Sequence, residues 1–268
     1  MANLDYINRL SHIALLLHEM ANKNLDQLAG KCQEKHEMQD YYLGILRRQA
    51  MVCHDLHLIL KNRPQENLTT PYVLLRSLLD DFIHLIYLDL HDNPTEEITK
   101  INAKSHKEHF ESLAFLTNSQ HQENNGESMN YLTPEGLGEI KTIFKSKPEN
   151  EKYFTNIDEF EFKRFIQFRQ VAEKINGTET CNIARDRAYY LWKDFSSFVH
   201  YANWCLEYEL TEDIIKLQVI EESLQYVFNS ILIAFKYFKH TLGMKTIINT
   251  YLIKEIKFGV IITKQEQQ

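Results

Sequence analysis

The clearest helical pattern in the chain lies in residues 7–28, which read INRLSHIALLLHEMANKNLDQL. Apolar side chains return every three or four positions there, the spacing that places them on one face of an α-helix. The residues on this face are Ile7, Leu10, Ile13, Ala14, Leu17, Met20, Ala21, Leu25 and Leu28. The pattern predicts a first helix that buries one side and ends near Gly30.

The same spacing continues along most of the chain and predicts further helices. Three of them begin where a capping residue precedes a proline, at Thr70-Pro71, Asn93-Pro94 and Thr133-Pro134. Proline suits the first helical position because its missing N–H group would have no partner within the helix there. After the first helix, the predicted helices cover residues 34–60, 70–91, 93–118, 133–146, 157–175, 184–209, 211–240 and 244–257.

The composition agrees with a helical fold. The 268 residues include only 8 Gly and 5 Pro, whereas strand-rich folds need many tight turns and the residues that form them. We therefore expect one all-α domain over residues 1–268, a bundle of about eight helices with no substantial β-sheet, rather than a sandwich, a barrel or a Rossmann fold. Residues 119–130 are polar and poor in apolar side chains, so they predict an exposed loop.

The net charge and the absence of targeting signals argue against nucleic-acid-wrapping, secreted and membrane-spanning proteins. The formal net charge of -7 argues against non-specific wrapping of nucleic acid, although a small basic patch is compatible with it. The first residues lack the basic and apolar regions of a secretory signal, and no apolar run reaches the roughly 20 residues of a membrane-spanning helix. The 4 cysteines are scattered, as reduced thiols commonly are. We expect a cytoplasmic protein without a membrane partner.

The sequence carries no common cofactor or metal motif. It has no glycine-rich phosphate loop, no G-x-S-x-G nucleophile motif and no H-E-x-x-H zinc motif. Two histidine pairs, His54 with His57 and His106 with His109, have the spacing that lets two side chains share a helix face and a metal. Neither pair is joined by carboxylates or by a second pair at matching spacing. We therefore expect no cofactor and no metal.

Aromatic residues recur between Tyr153 and Phe168. Such a run can stack the bases of a nucleic acid. However, Phe162, Phe165 and Phe168 are three residues apart, which places them along one side of a helix with polar residues between them. The sequence therefore favours a buried aromatic stripe within the helix predicted over residues 157–175.

The third predicted helix carries charged residues beside a strongly apolar face. Its apolar stripe consists of Leu75, Leu79, Phe82 and Ile86. Arg76 lies beside this stripe, Asp80 follows one turn later and His84 continues the polar row. The spacing of Arg76 and Asp80 predicts an i, i+4 ion pair, in which a partly buried arginine holds a neighbouring helix.

A second polar group falls in the helix predicted over residues 184–209. Ser196 and His200 are four residues apart and share a face, and Lys193 lies three residues before Ser196. A Ser–His pair can activate a hydroxyl for nucleophilic attack. Within one helix, however, a serine commonly donates to its own i−4 carbonyl, and no third catalytic member or oxyanion site accompanies the pair.

These two motifs resemble the domain-of-unknown-function family 5677. Residues 76–80, RSLLD, are similar to that family's R-x-x-x-[E/D] helix, and residues 195–200, FSSFVH, are similar to its later [L/F]-S-x-[F/Y]-V-H helix. The order and separation of the motifs also fit, and Ala103 and Phe110 match a weaker central pattern. The chain departs from the family at Asp80, where Glu is usual, and near Trp192, where Tyr is frequent.

The resemblance covers residues from about 40 to about 240 and implies a helical, intracellular, mainly microbial protein from a family with no settled activity. It extends more distantly to HEPN proteins. These are helical bundles, often toxins or antiviral effectors, and their metal-independent RNase motif is an Arg and a His separated by four to six residues.

The HEPN analogy offers two candidate RNase sites. In the first, Arg48 and His54 have the motif's spacing. In the second, Arg76 and His200 meet across helices, with His200 as general base or acid and Arg76 stabilising the charge of the phosphorane. Arg76, Asp80 and His200 would then form one polar cluster between the third helix and the helix over residues 184–209. The alternative is that this cluster is structural and only fixes the register of the helices.

Two functional hypotheses follow. The first is a defence or toxin-type effector that cleaves RNA without a metal, with RNA as its partner. The second is a non-enzymatic helical scaffold that binds a partner protein or forms a homo-oligomer. An enzyme requires Arg76, Asp80 and His200 to border a cleft that solvent reaches, whereas a scaffold requires them to be sealed.

Overall fold

The computed structural model of the chain describes residues 2–33, 36–62, 69–118, 132–200 and 213–264. The loop predicted over residues 119–130 lies outside these ranges. The described residues are mostly helical, which confirms the all-α class.

Nine α-helices, one 3₁₀ helix and one pair of short strands occur in the described ranges. They are α1 (Ala2–Leu28), α2 (Glu37–Asn62), α3 (Thr69–Leu90), α4 (Pro94–Asn118), α5 (Pro134–Lys145), the 3₁₀ helix (Pro148–Tyr153), β1 (Phe154–Asn156), β2 (Glu161–Phe162), α6 (Phe168–Lys174), α7 (Glu179–His200), α8 (Asp213–Leu242) and α9 (Thr250–Lys254). Within the described part of the chain, none of these helices has the length and apolar composition needed to cross a membrane.

Backbone contacts divide the chain into two compact units. The first comprises Met1–Asp92 and Phe168–Gln268, and the second comprises Asn93–Gln167. Each unit has its own buried apolar residues. The single domain expected over residues 1–268 stays a prediction.

The first unit is built around α3 and α8, which pack against each other. α3 also packs against α2, α6 and α7, and α8 packs against α1, α2 and α7. The largest fully buried side chains on these two helices are Tyr72, Phe82, Phe228, Phe235 and Phe238. Because α3 packs against α2, α6, α7 and α8, it is buried on more than one face.

Helices α1 and α2 form an antiparallel hairpin. Ser11 lies beside His57, and His18 lies beside Ala50, so sequence positions that rise along α1 fall along α2. The apolar face predicted over residues 7–28 is buried at nearly every position, and Gly30 follows α1 with a φ of 70°. The left-handed conformation suits glycine at the end of a helix, as expected from the sequence.

A buried asparagine fixes the chain after α8. Asn24 on α1 is fully buried, and its Nδ2 donates to the main-chain O of Ile247 at 2.8 Å. The main-chain N of Ile247 donates in return to Asn24 Oδ1 at 2.9 Å. The helix predicted over residues 244–257 is therefore wrong, because the main chain bonds to a side chain of α1 here, and only Thr250–Lys254 is helical.

A second buried asparagine repeats this arrangement further along. Asn229 on α8 donates through Nδ2 to the main-chain O of Gly259 at 3.0 Å and accepts from the main-chain N of Ile261 at 2.7 Å. We call the side chains of Asn24 and Asn229 the amide clamps. Together they replace the regular hydrogen bonds that this non-helical part of the chain lacks.

The second unit encloses a small aromatic core. α4, α5, the 3₁₀ helix and the β1–β2 hairpin surround the buried residues Ala103, Phe110, Leu137, Phe154 and Phe162. Strand β1 pairs with β2 in antiparallel fashion, with an irregularity between the paired residues. Phe160 precedes β2 with a φ of 57°, a value that bulky residues rarely adopt.

The helix predicted over residues 157–175 is wrong, because its first half forms the turn and second strand of this hairpin. Asn156 Oδ1 accepts from the main-chain N of Asp158 at 3.1 Å and of Glu159 at 3.3 Å, which fixes the turn. Phe162 lies on β2 and so does not share a helix with Phe168. Phe162 is buried as expected, whereas Phe165 and Phe168 are half-buried.

The capping prediction is confirmed at two helix starts. Asn93 Oδ1 accepts from the main-chain N of Glu96 at 3.2 Å, directly before α4. Thr133 caps α5 by accepting from the main-chain N of Gly136 at 3.1 Å. In both helices a proline occupies the first position, where a main-chain N–H group would have no partner within the helix.

Candidate functional site

The structure brings Arg76 of α3 to α7. Arg76 Nε donates to Ser196 Oγ at 2.8 Å, and Ser196 Oγ donates to the main-chain O of Trp192 at 2.7 Å. The guanidinium carbon lies 5.0 Å from the centre of the Trp192 ring, within the range of a cation–π interaction. Arg76 is half-buried, and no carboxylate pairs with it in the described ranges.

Asp80 does not form the ion pair expected with Arg76. Its Oδ2 lies 3.5 Å from Nδ1 of His84, and that nitrogen also lies 2.9 Å from the main-chain O of Asp80. The difference arises because Ser196 and Trp192 of α7 take up the Arg76 side chain. Asp80 and His84 instead pair along α3.

His200 is the last residue of α7 and lies one helical turn after Ser196. The position of its side chain lies outside what the structure describes. The approach of His200 to Arg76 therefore stays a prediction.

Aromatic rings surround the Arg76 contact in the first unit. The Phe168 and Trp192 ring centres are 4.1 Å apart, and Tyr189 stacks on Trp192 with centres 5.9 Å apart. Trp192 Nε1 is buried and has no hydrogen-bond acceptor among the described atoms. A buried donor without an acceptor is costly in free energy, so Trp192 is held here by its ring contacts rather than by a hydrogen bond.

A cleft of about 580 Å³ lies beside Tyr189, between α6 and α7. It carries three basic and two acidic side chains, namely Arg169, Arg185, Lys193, Glu173 and Asp186. Both carboxylates are neutralised, since Arg169 pairs with Glu173 at 2.7 Å and Arg185 with Asp186 at 2.8 Å. Lys193 is exposed and forms no ion pair with any described residue, so the cleft has an excess of positive charge.

A second polar contact joins α2 to α3 and centres on a residue that the sequence analysis missed. Arg48 Nε donates to Asp81 Oδ2 at 2.9 Å, and its Nη2 bonds Asp81 Oδ1. Gln49 Nε2 donates to Asp81 Oδ2 at 3.0 Å. The Asp81 side chain is 2% exposed, whereas that of Arg48 is 50% exposed. Asp81, rather than its neighbour Asp80, is thus the buried carboxylate of α3.

Burial dominates the protonation of Asp81. Removal of the carboxylate from water raises the pKa of Asp81 to about 7, against the opposing pull of the Arg48 guanidinium and the Gln49 amide. The nearby Asp80 carboxylate acts in the same direction as burial. Gln49 Oε1 is buried without a partner among the described atoms, so the network is incompletely satisfied.

Arg48 and His54 contact different helices. Arg48 bonds Asp81 of α3, whereas the His54 ring lies 4.9 Å from the ring of His18 on α1. Six positions along a helix turn a side chain by about 240°, which accounts for the separation. The structure thus does not bring these two side chains to one site.

The paired histidines contact protein groups. His57 Nδ1 lies 3.0 Å from Ser11 Oγ, and the His106 ring lies between the rings of Phe144 and Tyr153 at 4.9 and 4.8 Å. Among the residues that the structure describes, no three His, Cys, Asp or Glu side chains come together as metal ligands.

Sequence signals for these contacts differ in strength. Arg76 and Ser196 stand beside apolar faces, and this pattern singled them out. Asp81 has Leu78 three residues before it and Leu85 four residues after it, a spacing that would have placed it on a second buried face.

Comparison with protein-family models, with curated proteins and with solved structures finds no match to the chain. The resemblance to family 5677 and to HEPN proteins therefore stays a prediction.

Proposed function

We propose that the protein is a cytoplasmic effector of the defence or toxin type that cleaves RNA without a metal at Arg76 and His200. The observation that supports this most directly is the half-buried Arg76 guanidinium, which has no carboxylate partner in the described ranges. The free state of the described cysteines Cys32, Cys53 and Cys181 is compatible with a reducing compartment.

Arg76 is held in the manner of an anion-binding residue. Ser196 accepts from its Nε, its guanidinium carbon lies over the Trp192 ring, and no described residue bonds its terminal nitrogens. A guanidinium fork matches two oxygens of a phosphate, and a partly desolvated cation gains most from such a partner.

The cleft between α6 and α7 supports the same ligand class. Single-stranded RNA is bound by basic grooves in which aromatic rings stack on the bases. Tyr189 and Lys193 line this cleft, and Tyr189 stacks on the tryptophan that holds Arg76. The excess of positive charge is local, so it is compatible with an overall charge of -7.

The proposed reaction is attack of the RNA 2′-hydroxyl on the adjacent phosphorus, which displaces the 5′-oxygen. His200 would take the proton from the 2′-hydroxyl, and water would supply the proton of the leaving oxygen. Arg76 would stabilise the negative charge that develops on the phosphorane oxygens. The products would be a 2′,3′-cyclic phosphate and a 5′-hydroxyl.

The test is cleavage of a labelled single-stranded RNA by the full chain in the presence of EDTA. We expect Arg76→Ala to lower the cleavage rate by about 10²–10³-fold, and His200→Gln to abolish cleavage while sparing the melting temperature. Arg47→Ala is the matched control, since Arg47 is an exposed arginine on α2. Intact RNA with the wild-type protein, or equal rates for wild type and Arg76→Ala, would contradict the proposal.

A second candidate function is a non-enzymatic helical scaffold for a partner protein or a second copy of the chain. The contact of Arg48 and Gln49 with the buried Asp81 favours it, because buried polar contacts can fix the register of packed helices. A scaffold predicts that Arg76→Ala and His200→Gln lower the melting temperature while no RNA is cleaved. The same two variants therefore separate the two functions.

A further inference from the structure

The second unit contains a cavity of about 420 Å³ that the proposed RNA site does not use. α4, α5 and the β1–β2 hairpin contribute its walls. Phe110, Phe160 and Phe162 form the aromatic part of the lining. The volume lies within the range of cavities that take small molecules.

Phe160 adopts a strained conformation at the edge of this cavity. Its φ of 57° is the left-handed conformation, which glycine usually supplies at a hairpin bulge. This conformation is unfavourable for a residue with a Cβ atom, because the Cβ crowds the following carbonyl oxygen. The Phe160 ring packs edge-on against Phe110, with centres 4.8 Å apart, but remains half-buried. Such strain persists at ligand clamps, where a particular side chain must face a ligand.

Among the described residues, four charged side chains of the cavity lining form two ion pairs and two others form none. Lys107 pairs with Glu111 at 3.5 Å, and Arg164 lies 3.8 Å from Glu161. Lys141 and Glu159 also line the cavity, and neither forms an ion pair with another described residue. The Lys141 ammonium lies 5.3 Å from the centre of the Phe160 ring.

We propose that this cavity binds a free aromatic amino acid. The ligand's ring packs on the phenylalanine wall, where offset and edge-on arrangements are favourable. Its carboxylate pairs with Lys141 and its ammonium group with Glu159. An aromatic zwitterion matches all three features, whereas an aliphatic amino acid lacks the ring and a simple aromatic acid lacks the cation.

The test is isothermal titration of the full chain with L-tryptophan. Three comparison ligands each lack one feature: L-leucine lacks the ring, tryptamine lacks the carboxylate and indole-3-propionate lacks the ammonium group. We expect saturable binding of L-tryptophan, and binding of each comparison ligand that is weaker by about tenfold or more, the factor that corresponds to about 1.4 kcal/mol.

Three variants assign the contacts. Lys141→Met should weaken binding of L-tryptophan but not of tryptamine, and Glu159→Gln should weaken binding of L-tryptophan but not of indole-3-propionate. Phe160→Gly removes a ring of the cavity wall while relieving the backbone strain, and should weaken binding of L-tryptophan and tryptamine alike by about tenfold or more. Circular dichroism checks that this variant is folded, and Phe160→Leu, which keeps an apolar side chain, should weaken binding in the same direction. Lys145→Met, on the same helix as Lys141 but outside the cavity lining, is the matched control.

Two results would overturn the proposal. One is the absence of saturable L-tryptophan binding by the wild-type chain. The other is equal weakening of L-tryptophan and tryptamine by Lys141→Met, which would mean that Lys141 does not bind the carboxylate. Neither result bears on the RNA-cleavage test, because that test varies residues of the first unit.

Discussion

Asp80 and Asp81 are neighbours in the chain, yet their side chains lie in different surroundings. Asp80 is 37% exposed and lies near His84, whereas Asp81 is 2% exposed and bonds Arg48 and Gln49. Sequence reasoning assigned α3 a single apolar stripe and so chose Asp80. The burial of Asp81 could not be predicted in this way, because the second buried face of α3 depends on α2 packing against it.

The two aspartates should differ in their contribution to stability. Asp81→Ala leaves the buried Gln49 amide without its acceptor and should lower the free energy of unfolding by about 1–3 kcal/mol. Asp80→Ala removes only an exposed i, i+4 contact and should cost less than about 0.5 kcal/mol. Urea unfolding at pH 7 measures both. Equal losses would show that the Arg48–Asp81 contact contributes little.

Asp81 should also make stability depend on pH. Its pKa rises from 3.8 in the unfolded chain to about 7 in the folded chain, so between these values the folded state holds a proton that the unfolded state releases. The stabilisation is complete below pH 3.8 and is lost as the pH rises through 7, with a slope of at most about 1.4 kcal/mol per pH unit. Urea unfolding from pH 4.5 to 7.5 should show this slope in the wild type and a weaker one in Asp81→Asn. Asp80→Asn should keep a slope whose upper end lies at lower pH, because the Asp80 carboxylate helps to raise the pKa of Asp81. Parallel curves for wild type and Asp81→Asn would contradict the assignment.

At the scale of elements, local chemistry predicted the starts of α4 and α5, whereas α3 begins at Thr69, one residue before the cap predicted at Thr70. Asn93 and Thr133 cap α4 and α5 through atoms only three residues away, so the sequence contains the whole interaction. The segment over residues 244–249 is different, because Asn24 of α1 bonds its main chain from more than 200 positions away. The hydrophobic periodicity of residues 244–249 contains no information about Asn24, which is so distant in sequence.

The β1–β2 hairpin shows the same limit in the second unit. Phenylalanines at intervals of three fit a helix, but Asn156 fixes a turn and Phe154 pairs with Phe162 across two strands. The hairpin is favoured over a helix because it buries Phe154 and Phe162 in the aromatic core of the second unit. The strained Phe160 follows from that choice and cannot be read from spacing, because the sequence offers no glycine at the bulge.

At the scale of the whole molecule, composition was sufficient to predict the fold class. Few glycines and prolines leave few sites for tight turns, and the described residues are indeed mostly helical. Composition could not predict the division into two compact units, since both have the same helical character. The contact of Arg76 with α7 was within reach of sequence reasoning because polar groups beside apolar faces need partners.

The amide clamps connect α1 and α8 to the last part of the described chain, and they have a consequence for hydrogen exchange. The main-chain N–H groups of Ile247 and Ile261 lie outside every helix and strand, yet Asn24 and Asn229 accept from them. Their exchange should require this segment to detach from α1 and α8, because both asparagines are buried. We expect these two amides to exchange with deuterium as slowly as the interior of α8, and Asn229→Ala to accelerate Ile261 while Ile247 stays protected. Fast exchange of both amides in the wild type would show that this part of the chain opens independently of the helices.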